Sequence, residues 1–115
     1  MKELQLNPVT LSVAVNGTIF PFRADSDFAE RAQRLGDEAK RRALLAAAEG
    51  RHDPAGTKAF LMRAIDTLLD CEAMATLFEG DSPELLDLLD ILDLIMSEFH
   101  RYRAERIGRL KEGLA

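Results

Sequence analysis

Four carboxylates recur at every third position in "SPELLDLLDILDLIM", residues 82–96: Glu84, Asp87, Asp90 and Asp93. Closely spaced acids are what a cation site or an acid/base pair requires. A helix turns about 100° per residue, so a spacing of three drifts by about 60° per step. From Glu84 to Asp93 the acids swing roughly half way around the helix. Neighbouring pairs can share a cation or a proton, but four ligands do not converge. A glycosidase-like pair also needs acids facing each other across a cleft, and one solvent-side helix supplies no cleft.

The other reactive residues are few. His52 and His100 lie far apart in sequence, and Cys71 is the single cysteine, so no metal-ligand spacing appears. Asp53, next to His52, is accounted for by helix capping, and His100, between Phe99 and Arg101, is expected to be exposed. Cys71 falls on an apolar helical stripe and reads as a small core residue rather than a nucleophile. Glycines occur singly, at turns and helix ends, so no phosphate-cradling loop is present. Lys40, Arg41 and Arg42 form a short cluster on a helix that also carries acids, which reads as a solvated face. The expectation is a chain with no catalytic residue, no cofactor and no metal.

Composition bounds the rest. At 115 residues and 47% hydrophobic, the chain fits one domain, 1–115, able to bury a real core. A net charge of -5 argues against nucleic acid, which needs clustered excess Lys and Arg. No apolar run approaches a membrane span, and "MKELQLNPVT" has no apolar signal core, so the expected location is the cytoplasm. The lone cysteine fits a reducing compartment.

The elements that must position these residues follow from turn chemistry and periodicity. Residues 1–8 read as a loose polar lead ending at Pro8. "VTLSVAVNGTIFPF" alternates around Asn16-Gly17, the preferred pair for a type I′ turn, and predicts a hairpin over 9–23. Placing the turn at 16–17 sets Val15 opposite Thr18, Val13 opposite Phe20 and Leu11 opposite Phe22, which makes one face strongly apolar. Pro21 lacks an N–H and belongs on an edge. A bare hairpin is marginal in water, so its apolar face must lie on helices. The first helix is expected over 26–49, capped by Asp27 with Glu30 as a capping box, with an alanine-rich stripe, Gly36 inside and Gly50 as the stop. The second is expected over 54–79, opened by Asp53-Pro54, with Leu61, Ala64, Leu68, Cys71, Ala75 and Phe78 on its seam and Gly80 as its stop. The third is expected over 83–110, with Ser82 as cap and Pro83 at its first position. The fold class is therefore α+β, mainly α: an N-terminal hairpin packed on about three helices.

The third helix carries more apolar surface than one seam uses. Leu85, Leu88, Leu92, Ile95, Phe99 and Tyr102 step by three and four, which leaves Leu86, Leu89, Leu94 and Met96 off the seam as candidates for partner or self contact. Its charge is split. Residues 81–98 hold Asp81, Glu84, Asp87, Asp90, Asp93 and Glu98 with no Lys or Arg. The end of the helix holds Arg101, Arg103, Arg106, Arg109 and Lys111 against Glu105 and Glu112. Such a helix can dock head-to-tail between copies, with Arg101, Arg103 and Arg106 among the contacts, or simply carry a cation-rich end that the helix dipole favours.

The order of these parts, from "VAVNGTIFPF" to "AFLMRAIDTLLDCEAMATLFEGDSPELLDLLDILDLIMSEFHRYRAERI", resembles the small tail assembly chaperones of long-tailed siphophages and prophages. "LFEGD" is similar to the family's helix break, where a Phe and a Gly precede a polar turn, and the likeness spans about residues 9–110. The resemblance implies a non-enzymatic protein of the bacterial host cytoplasm. It would coat the tape measure protein, hold its apolar helices soluble until tail tube protein polymerises around it, self-associate, and also be made in a longer frameshifted form. The alternative is a small helical regulatory or adaptor protein, antitoxin-like, acting through a fixed dimer interface.

Overall fold

The structure, a computed structural model, describes residues 9–49, 54–79 and 81–114. Strands β1 (Thr10–Val15) and β2 (Thr18–Arg23) precede helices α1 (Ser26–Glu49), α2 (Pro54–Leu69), α3 (Ala73–Leu77) and α4 (Leu85–Leu114). The protein is mainly helical, with the two-stranded antiparallel hairpin packed against the helices as expected. Pro8, the Gly50 stop, the His52-Asp53 cap and the Gly80 stop lie outside the described residues.

The hairpin has the register that its turn dictates. Val15 pairs with Thr18, Val13 with Phe20 and Leu11 with Phe22. Asn16 and Gly17 both take positive φ, 51° and 81°, as a type I′ turn demands. Val13, Phe20 and Phe22 are buried beneath it, while Ile19 and Pro21 face out. β1 lies on α4 and β2 on α2, so the hairpin closes one side of the helical layer.

The core gathers Phe28, Ile65, Leu68, Leu88 and Ile95, all nearly inaccessible. Phe28 links the layers. Its ring centroid lies 5.0 Å from Phe22 and 4.5 Å from Phe99, within the range of favourable aromatic pairs. On α4 the buried positions are Leu88, Ile91, Ile95 and Phe99, so Ile91 joins the anticipated seam, while Leu85, Leu92, Met96 and Tyr102 flank it half-buried.

The cap of α1, the end of α2 and both ends of α4 differ from expectation. The cap of α1 is Asp25, not Asp27: its Oδ1 accepts the Phe28 N–H at 3.0 Å, and α1 starts at Ser26. Asp25→Ala is expected to cost about 1 kcal/mol, read as a lowered urea midpoint with unchanged slope; no change would reject the cap.

The periodicity predicts one helix over 54–79, but the chain turns between α2 and α3. Asp70 takes φ 53°, and the Cys71 N–H donates to the Asp66 carbonyl at 3.2 Å, a Schellman-type closure with Asp in the left-handed position usually held by Gly. The Asp66 carboxylate then accepts the Met74 N–H at 2.9 Å, and α3 buries Ala73 and Met74 in place of Cys71 and Ala75.

α4 begins at Leu85, where the Leu88 N–H donates to the Glu84 carbonyl at 3.2 Å, so Ser82-Pro83 precede the helix rather than open it. It continues to Leu114, four residues beyond the expected end.

Those 30 residues reach about 45 Å at 1.5 Å per residue. The protein measures 61 × 34 × 18 Å with a radius of gyration of 17.2 Å, against about 13 Å for a compact chain of this size. The elongation comes from helices that outrun the core.

Candidate interaction surface

The carboxylate ladder does not converge on one point, although Asp87 and Asp90 border an open cleft of about 300 Å³ with Val15, Asn16, Phe78 and Ile91. Glu84, Asp87, Asp90 and Asp93 are all exposed and wind around α4. Among the described residues no group of three or more His, Cys, Asp and Glu side chains is placed to hold a metal ion. Asp87, Asp90 and Asp93 form no ion pair or hydrogen bond within the described chain, whereas Asp25, Glu38, Glu98 and Glu105 all do.

Cys71 is exposed at the corner after α2, not buried on a seam. Partial burial pushes its thiol up, and the Asp66 and Asp70 carboxylates add to that, outweighing the lowering by a backbone hydrogen bond at Ala73. A raised thiol is less ionised at neutral pH than free cysteine. Alkylation of native protein near pH 7.5 is therefore expected to run slower than that of a free thiol; a faster reaction would contradict the environment described. His100 is exposed, 6.0 Å from the Phe99 ring.

The basic residues are largely engaged within their own helices. Arg101 donates to Glu98 at 2.7 Å and to Glu105 at 3.3 Å. Arg103 lies over the Phe99 ring at 5.6 Å, and Arg106 donates to the Tyr102 hydroxyl at 3.0 Å. On α1, Arg41 grips Glu38, while Arg42 is half-buried with its guanidinium 4.7 Å from the Phe60 ring. The Lys40–Arg42 cluster is thus partly a packing element rather than a uniformly solvated face.

The apolar surface is what remains unsatisfied. Leu86 is 73% exposed, and Leu89 and Leu94 are also exposed, whereas Met96 is half-buried against the core. At 100° per residue Leu94 lies about 80° beyond Leu86 and about 140° from Leu89, so the four off-seam residues do not share one face. Leu86 and Leu89 do share one, and Ile107, 48% exposed, lies in the same sector further along α4. Ile107 and Leu110 were not singled out from sequence, although they extend the spacing of three and four past Phe99.

A groove of about 340 Å³ runs between the start of α1 and the distal part of α4. Ala24, Ala29, Phe99, Ile107 and Leu110 are its apolar lining, and Asp25 and Arg106 are polar members of it. A second groove of about 300 Å³ follows the small residues Ala29, Ala32 and Gly36 of α1 against Met96 and Phe99 of α4. Leu44 and Leu45 add exposed apolar area on the distal part of α1.

The described chain therefore offers open apolar grooves and an exposed helical row. No helix among the described residues is long and apolar enough to cross a membrane, so this row is not a membrane span. Comparison with protein-family models, with curated proteins and with solved structures finds no match to this chain.

Proposed function

We propose that this protein is a non-enzymatic assembly chaperone of the phage tail type, which binds apolar helices of a tape measure protein and keeps them soluble while tail tube protein assembles. It works in the bacterial cytoplasm, without nucleic acid or membrane, and self-associates.

One observation carries the reading. Leu86, Leu89, Ile107 and Leu110 stay exposed along a helix that outruns its own core. A small soluble chain gains nothing from such surface unless something covers it. An amphipathic client helix laid along α4 is the simplest cover, because helix-in-groove recognition reads anchors spaced by three and four. The unpaired acids around Leu86 and Leu89 keep this row hydrated before the client arrives, and their repulsion opposes nonspecific collapse.

Co-expression tests it. A tape measure protein that aggregates alone should move into the soluble fraction with this chain; no gain in client solubility rejects the reading.

A further inference from the structure

α4 carries a second, exposed seam, whose first half lies away from the core and whose His100 and Ile107 border the grooves against α1. Leu86, Leu89, Asp93, Ser97, His100, Ala104 and Ile107 step by three and four and fall within a sector of about 80°. Every one of them is exposed. The ends of the seam are large and apolar, the middle is small, and Asp93 and His100 are polar members placed symmetrically about it.

The sequence is also mirrored in charge about the Met96–Ser97 peptide. The acids at 84, 87, 90 and 93 reflect onto Arg109, Arg106, Arg103 and His100. Leu86 reflects onto Ile107, and Leu89 onto Ala104. A parallel pair of helices would set acid against acid. An antiparallel pair sets every rung of the ladder level with a basic residue of the other copy.

The geometry points to a second copy of this chain as the occupant of that seam: two α4 helices pair antiparallel about a two-fold axis at the Met96–Ser97 peptide. Leu86 then packs on Ile107 of the other copy, Leu89 lies over its Ala104, and Asp93 meets its His100. Ser97 and Ala104 let the backbones approach. Residues of the ladder that lie off the contact line, such as Asp87 and Arg106, act through the field between the helices rather than by touching. The pairing gives Asp93, which has no ion pair or hydrogen bond within the described chain, a contact on the other copy. A strip from 84 to 109 is about 38 Å long, and at roughly one helix width it covers about half the area per copy of a standard stable interface. The pair is accordingly weak, concentration-dependent and sensitive to salt.

This inference goes beyond client binding: the weak pair covers the row until a client displaces it, and its test contains no client, so its failure leaves that reading standing. Sedimentation velocity should show a monomer–dimer equilibrium that stops at two copies and weakens at least about tenfold between low and high salt. Asp90→Lys/Asp93→Lys and His100→Glu/Arg103→Glu should each sediment as monomers with unchanged helical circular dichroism, and an equimolar mixture should regain the dimer. In a Cys71→Ser background, Ser97→Cys should cross-link to itself faster than Leu86→Cys does, while Leu86→Cys should cross-link to Ile107→Cys. A monomer at every concentration, or self-linking of Leu86→Cys as fast as that of Ser97→Cys, would overturn the antiparallel pair.

Discussion

Phe28→Ala is expected to destabilise the protein by about 3–5 kcal/mol, enough to leave little of the roughly 5–15 kcal/mol available to a domain. The ring is 0% exposed and touches three elements at once: its own α1, Phe22 of β2 and Phe99 of α4. Its removal deletes two aromatic contacts and leaves a cavity where hairpin and helices meet. A two-stranded sheet is marginal on its own, so the hairpin depends on its contacts with the helices. Loss of the Phe22–Phe28–Phe99 chain should therefore uncouple it first. Phe28→Leu, which keeps most of the volume, should cost much less. Urea denaturation followed by circular dichroism reads both. A cost below about 1 kcal/mol for the alanine variant would mean that the hairpin and helices do not share this core.

Leu86→Asp combined with Ile107→Asp is expected to abolish client solubilisation while leaving the fold intact. Both side chains are exposed, so substitution away from the core should change stability by no more than about 0.5 kcal/mol each. An aspartate at either position puts a charge on the apolar row, and desolvating it beneath a client helix is costly. Leu88→Asp is the internal contrast. It lies two residues along the same helix but is fully buried, and it should unfold the chain. Client recovery in the soluble fraction, read beside the melting temperature of each variant, separates the two effects. Full solubilisation by the double variant would show that the outward row of α4 is not the contact.

Local chemistry made part of this architecture legible and left the rest unreadable. Asn16-Gly17 sets the hairpin register because both turn residues need positive φ, and the alternation of Val13, Val15, Phe20 and Phe22 agrees with it. The break at Asp70 was illegible because its signal is not a glycine or a proline. It is an aspartate held left-handed by a Schellman closure, next to an Asp66 carboxylate that caps the chain eight residues on. Periodicity runs through that corner undisturbed and places Cys71 on a seam, but the chain turns there and leaves it exposed. Asp25 and Asp27 flank Ser26 with nearly equal capping propensity, and only three-dimensional geometry chooses between them.

The interaction surface shows the same division. The excess of leucine on α4 is readable as a count of apolar positions, and the angular step already sets Leu94 apart from Leu89, but which of these positions stays uncovered is not readable. Met96 turns toward the core and Leu94 stands apart, while Ile107 completes the row from a part of the helix beyond the core. Which residues share a face follows from the angular step; which face is free follows only from where the hairpin, α1 and α2 lie.

The central proposal is that α4 meets its client through the apolar residues of its outward row, Leu86, Leu89 and Ile107. Methyl NMR during titration with an amphipathic tape measure segment tests it most directly. The account predicts shifts or broadening at Leu86, Leu89 and Ile107, with the buried Leu88 and Ile95 methyls undisturbed. Perturbations confined to the hairpin around Ile19, or none along α4, would contradict it.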